Sequence, residues 1–103
     1  MREKKRYIVY EVTTNSKTSM HKIQEDLIAK LHETLGVFLA SKAGILPIKY
    51  EQEKKKGILR TNHTAVDYIR SAFVLINKLG NTKVIIQTKG VSGILKKAKY
   101  NYF

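Results

Sequence analysis

Two periods of apolar spacing alternate along this chain. Residues 6–13, Arg-Tyr-Ile-Val-Tyr-Glu-Val-Thr, are rich in β-branched and aromatic side chains and read as a strand. Ile8, Tyr10 and Val12 share one face, and Tyr7, Val9 and Glu11 share the other. Both faces are largely apolar, which predicts a central strand covered on each side. A polar loop, residues 14–18, follows. Met20, Ile23, Leu27, Leu31 and Leu35 then recur at helical spacing, with Ile28 widening the stripe. Ser19 is placed to cap this helix and Gly36 to stop it. Residues 37–44 fit either a further helical turn or a covered connection.

The second half repeats the alternation. Residues 45–53 carry the only proline, Pro47, which confines that segment to an edge strand. Leu46, Ile48 and Tyr50 share one of its faces. Glu53-Lys54-Lys55-Lys56-Gly57 predicts a turn with Gly57 in a left-handed conformation, and residues 58–61 its partner strand. Asn62, His63 or Thr64 is expected to cap a second helix reaching Lys78, with Val66, Ile69, Phe73 and Ile76 as its core stripe. Ala72 permits close approach, Leu75 and Leu79 extend the apolar surface, and Gly80-Asn81 ends the helix. The last strand is expected over residues 82–88. Gly90, Ser92 and Gly93 break it, and Ser92 is placed to cap a short basic helix from Gly93. Residues 98–103 form a basic, aromatic tail.

The order strand, helix, strand, strand, helix, strand predicts an α+β fold. It is a ferredoxin-like (RNA-recognition-like) βαββαβ sandwich. A four-stranded antiparallel sheet carries two helices on one face, and a short C-terminal helix follows. The first and third strands are expected at the centre, and residues 1–103 as a single domain. Residues 1–5 are a short, mostly basic lead-in, and this layout brings Lys4, Lys5 and Arg6 close to Asn62, His63 and the Lys89–Lys99 segment. It sends the Lys54-Lys55-Lys56 turn, read as a solvated hairpin tip, to the opposite end.

Charge changes the picture most. The chain carries 20 Lys and Arg against 8 Asp and Glu, a net charge of +12. A domain so imbalanced calls for a polyanionic partner, nucleic acid before membrane. The 43% apolar content is enough for a core and argues against wholesale disorder. The lack of cysteine excludes disulfides, thiol nucleophiles and cysteine-ligated zinc. No apolar run approaches a membrane span, and a soluble, cytoplasmic protein is expected.

Catalytic constellations are weak. His21, His32 and His63 have no metal spacing, and the chain has no nucleophile elbow, nucleotide phosphate loop or paired carboxylates. The stretch Thr88-Lys89-Gly90-Val91-Ser92-Gly93-Ile94-Leu95-Lys96-Lys97-Ala98-Lys99 is the best candidate site: glycines, a helix start and lysines can hold an anion. An ordinary turn with solvated lysines would use the same residues. The third strand lacks the interleaved aromatics with which an RNA-recognition sheet stacks bases, and Tyr7 is the one candidate stacker on the open face. That face, carrying Tyr7, Val9 and Ile58, is therefore expected to be covered by the tail or to meet a protein partner.

Three segments in order carry a resemblance: Lys5-Arg6-Tyr7-Ile8, Gly57-Ile58-Leu59-Arg60, and residues 88–97, Thr-Lys-Gly-Val-Ser-Gly-Ile-Leu-Lys-Lys. With them the chain resembles the archaeal ribonuclease P protein component 2 family over nearly its whole length. One departure is Ile94, where the family often has threonine, which removes a hydroxyl at the helix start. The resemblance implies a non-catalytic subunit of a ribonucleoprotein that removes the 5′ leader of precursor tRNA. The RNA subunit does the chemistry with magnesium ions, and this chain binds no cofactor itself. The implied partners are the catalytic domain of the ribonuclease P RNA and the barrel-shaped protein component 3. Two such heterodimers are implied to pair through this chain. On this reading Lys4, Lys5, Arg6, Lys89, Lys96, Lys97 and Lys99 neutralise phosphates, with Ser92 and the amides from Gly90 to Gly93 holding one of them. The competing readings are a ribosomal-type basic RNA-binding protein, a ferredoxin-like domain binding a small molecule between paired sheets, and a standalone nuclease.

Overall fold

The computed structural model describes residues 4–103, so the first three residues of the lead-in lie outside the described residues. Period-two segments form β1 (Lys5–Thr13), β2 (Leu46–Glu51), β3 (Lys56–Asn62) and, late in the chain, β6 (Ile85–Ser92). They make one antiparallel sheet in the order β2-β3-β1-β6. The first and third strands are central, as expected, and Pro47 lies on an edge strand beside a register shift. This is the ferredoxin-like arrangement.

Period-3.6 segments form α1 (Met20–Ala43) and α2 (Val66–Leu75) on one face of the sheet. Ser19 caps α1, its hydroxyl accepting from the Lys22 amide at 3.3 Å. Met20, Ile23, Leu27 and Leu31 of α1 meet Ile8, Tyr10 and Val12 of β1 and Ile69 and Phe73 of α2 in the main core. Gly36 (φ 82, ψ 168) breaks α1, in a conformation essentially reserved for glycine. Helix resumes to Ala43 and closes on left-handed Gly44 (φ 58). Both expectations for this region were therefore half right: Gly36 interrupts, and residues 37–43 are helical.

Four boundaries differ from the sequence reading. At the lysine turn the left-handed residue is Lys55 (φ 53), not Gly57. Gly57 is glycine for another reason, since a Cβ there would overlap the Tyr10 hydroxyl. None of Asn62, His63 or Thr64 caps α2; His63–Ala65 forms a 3-10 turn, and no side chain caps either start. Helix α2 ends at Leu75. Lys78–Leu79 (β4) and Thr82–Lys83 (β5) pair around left-handed Gly80, so Gly80-Asn81 turns a hairpin and does not end a helix. Finally, β6 runs through Gly90 to Ser92, because a register shift between Val9 and Tyr10 lets its ladder with β1 continue.

A third helix, α3 (Leu95–Tyr102), crosses the other face of the sheet. Ala98, Leu95, Tyr102 and Phe103 pack over Val9 and Ile58. The tail is thus the cover. Val9 and Ile58 are fully buried beneath it and Tyr7 partly so, and Val9 and Ile58, expected at a protein interface, offer no surface to a partner.

Candidate nucleic-acid interface

Antiparallel pairing fixes which charges meet. β1 begins where β3 and β6 end, so Lys5 pairs with Asn62 and Tyr7 with Ser92. The Lys4 amide donates to His63 Nδ1 at 3.3 Å, and the His63 amide donates to the Lys4 carbonyl at 2.8 Å. Lys5 Nζ donates to the Asn62 side-chain oxygen, while the Asn62 amide nitrogen donates to the Lys42 carbonyl at the end of α1. Arg6 Nη1 donates to the Lys5 carbonyl at 3.0 Å and lies beside Gly93. The expected meeting of Lys4, Lys5 and Arg6 with Asn62, His63 and the Ser92–Gly93 turn is therefore observed.

The rest of the Lys89–Lys99 segment is dispersed. Lys89 lies within β6 and pairs with Glu11 at 3.6 Å. Gly90 pairs with Val9 inside the sheet, and a Cβ there would overlap the Tyr102 ring. It belongs to a packed contact and not to an open amide cradle. Ser92 does not cap a helix from Gly93; its hydroxyl accepts from the Ile94 amide and donates to the Ile94 carbonyl, both at 3.1 Å. Helix α3 starts at Leu95, after Ile94, with no side-chain cap. No side chain caps its first-turn amides, which lie in the same turn as Lys96 and Lys97, and a negative group is favoured at such a helix start. Lys99 is exposed farther along the helix.

The lysine turn is more than a solvated tip. Lys56 Nζ donates to the Tyr102 carbonyl and Lys54 Nζ to the Phe103 carbonyl, both at 3.2 Å. Lysines there complement the negative C-terminal end of α3. Lys55 Nζ reaches the Thr14 carbonyl at 3.3 Å. Helix α3 thus spans from one basic end of the sheet to the other.

The ion pairs among the described residues lie elsewhere: His21–Glu25, Lys22–Asp26 and Lys30–Glu33 within α1, and Lys89–Glu11. Lys4, Lys5, Arg6, Lys96, Lys97 and Lys99 form none, so their charge is uncompensated within the described residues. Arg60, not singled out from the sequence, joins them. It pairs with Tyr7 on the α3 side of the sheet, and its Nε is buried without a hydrogen-bond partner among the described residues. The available signal was its place two residues after Ile58, which puts both on one face of a central strand. Among the described residues no three His, Asp or Glu side chains converge as metal ligands would, and no helix is long and apolar enough to cross a membrane.

Fold and site together define a basic ferredoxin-like domain with a closed sheet and an uncompensated cationic end. Residues 6–103 match the family model described as the Rpp14/Pop5 family, and the chain belongs to that family. It is similar to ribonuclease P protein component 2 of Pyrococcus horikoshii, with 29% identity over 99% of this chain and 85% of that protein. The same-named protein of Methanococcus aeolicus is 32% identical over 99% of this chain and 74% of its own length. That of Archaeoglobus fulgidus is 29% identical over 99% and 91%. A chain in the cryo-EM structure of yeast ribonuclease MRP superposes with a TM-score of 0.61 at 14% identity, over 90% of this chain and 76% of that one. At that identity the likeness speaks for the fold.

Proposed function

We propose that this chain is an RNA-binding protein subunit of ribonuclease P, assisting an RNA subunit that removes the 5′ leader of precursor tRNA. The observation that carries the reading is the match to component 2 relatives along nearly the whole chain. Lys4, Lys5, Arg6, Lys96, Lys97 and Lys99 then neutralise RNA phosphates, which positions RNA without reading its sequence. Magnesium and bond cleavage belong to the RNA. By reducing phosphate repulsion the lysines let its active fold form with less magnesium. Protein component 3 is the proposed protein partner, and pairing of two heterodimers through this chain the proposed assembly. Val9 and Ile58 being covered, these contacts must use other surfaces, and the exposed pairs Val37–Phe38 and Val74–Leu75 offer apolar ones.

The test is reconstitution with ribonuclease P RNA and component 3, following precursor tRNA cleavage as magnesium is lowered. Rescue should require both proteins and weaken when Lys96 and Lys97 become alanine. The same double substitution should flatten the salt dependence of RNA affinity by about 1.5 in log–log slope. No rescue, with tight binding to another RNA, would favour the ribosomal-type reading.

A further inference from the structure

The inner side of α3 is committed to the fold: Ala98 is fully buried, and Leu95, Tyr102 and Phe103 pack over Val9 and Ile58. Its outer side carries one aromatic residue that the fold does not use. Tyr100 is 90% exposed, the most exposed of the large apolar and aromatic side chains among the described residues. Lys96 and Lys97 lie four and three residues before it, so all three share one helical surface. Together with Asn101 they line a shallow groove of about 430 Å³. Its walls are mostly carbon, contributed by lysine stems and the tyrosine ring, while the ammonium groups extend into water.

We propose that this groove takes an unpaired RNA base, stacked on Tyr100, whose flanking phosphates are held by Lys96 and Lys97. The proposal rests on the RNA-binding reading above and adds to it a preference for single-stranded over duplex RNA. Three observations converge. An exposed ring beside two lysines suits a ligand with a flat apolar face and an anionic backbone, which is what a nucleotide offers. Interfaces between proteins deplete lysine at their centres, and here two of the four lining residues are lysines. Asn101, whose amide can both donate to and accept from a base edge, lines the same groove. A duplex hides base faces within its stack, so only a loop, bulge or end can use the ring. The sheet, where RNA-recognition domains stack bases, is closed by α3 itself. Base stacking is thereby moved from the sheet to the outside of its cover.

The experiment uses the full chain, a labelled oligouridine single strand and a blunt RNA duplex of equal length, with affinity measured by fluorescence anisotropy across salt concentrations. Tyr100→Leu should weaken single-strand binding roughly tenfold, leave duplex binding and both salt slopes unchanged, and Tyr100→Phe should restore affinity. Such an exposed side chain is not required for folding, and an unchanged unfolding midpoint verifies that. If Tyr100→Leu binds both probes like the wild type while Lys96→Ala with Lys97→Ala still flattens the salt slopes, stacking is overturned and the lysine reading stands. Equal loss on strand and duplex overturns it too. Wild-type protein that binds neither probe overturns stacking and the RNA-binding reading together. Unchanged RNA binding with loss of a protein partner reassigns Tyr100 to a protein contact.

Discussion

The two faces of the sheet are covered by different means. On one, α1 and α2 bury a broad cluster that runs from Ile8, Tyr10 and Val12 to Leu27, Leu31, Ile69 and Phe73. On the other, one short terminal helix covers Val9 and Ile58, with Ala98 as its only fully buried residue. The first face holds the fold together through long helices and many mutual contacts. The second is a cover whose inner side needs little apolar surface and whose outer side is free to carry lysines and a tyrosine. An apolar strand face that could have stacked RNA bases is closed, and the charge that RNA would meet lies on the cover and at the end where it joins β6.

The largest test of this difference compares one aromatic from each side. Phe73→Ala, deep in the main core and 5.7 Å from the Tyr10 ring, should cost about 3–5 kcal/mol in urea unfolding. Tyr102→Ala, half-buried at the end of α3, should cost about 1 kcal/mol. If the two losses were equal, α3 would be an integral part of the core and not a cover.

The main face was the legible one. Helical stripes in α1 and α2, the capping Ser19 and the edge-strand proline all left local signals, and the structure uses each of them. The meeting of Lys4–Arg6 with Asn62, His63 and Ser92–Gly93 followed from strand order alone. What sequence reasoning misplaced lay where long-range contacts override local ones. Gly90 and Ser92 look like breakers, yet pairing with Val9 and Tyr7 extends the strand through them. Gly57 looks like a turn glycine, but its reason lies forty-seven positions away at Tyr10. Lys54 and Lys56 look solvated, because nothing local reveals that the last carbonyls of α3 reach them. Arg60 carried no motif of its own and gained its meaning only when paired with Tyr7.

Two glycines sharpen the contrast at intermediate scale. A Cβ at Gly57 would overlap the hydroxyl of Tyr10, which is fully buried and cannot retreat. A Cβ at Gly90 would overlap the ring of Tyr102, which is half-buried on a terminal helix and can. Gly57→Ala should therefore cost about 1–3 kcal/mol of global stability, as overpacked cores do. Gly90→Ala should cost less than about 1 kcal/mol and speed amide exchange within α3 alone. Exchange that accelerates throughout the chain in Gly90→Ala would show the two faces to be one cooperative unit.

A pH-dependent effect reads the main core through its one strongly perturbed group. Burial pushes the Tyr10 phenol well above its ordinary range, against the weaker pull of Gln24, whose Nε2 donates to it at 2.9 Å and to the Lys49 carbonyl at 3.2 Å. The unfolded phenol ionises near its usual pKa of about 10, while the folded one keeps its proton. The unfolded state then binds fewer protons, so this contribution is intact below about pH 10 and is lost as pH rises further, by up to about 1.4 kcal/mol per unit. Tyr10→Phe removes the proton and with it that share of the alkaline loss. At neutral pH the same change should cost only about 1 kcal/mol, since Gln24 keeps the Lys49 carbonyl. Urea unfolding of both proteins at about pH 8 and about pH 11 isolates the difference from alkaline effects common to the two. An alkaline loss undiminished in Tyr10→Phe would mean that strong base loosens the chain elsewhere. The lysines that tie α3 to the β2–β3 turn would then be the first place to look, and the weaker face would be the one that alkali opens.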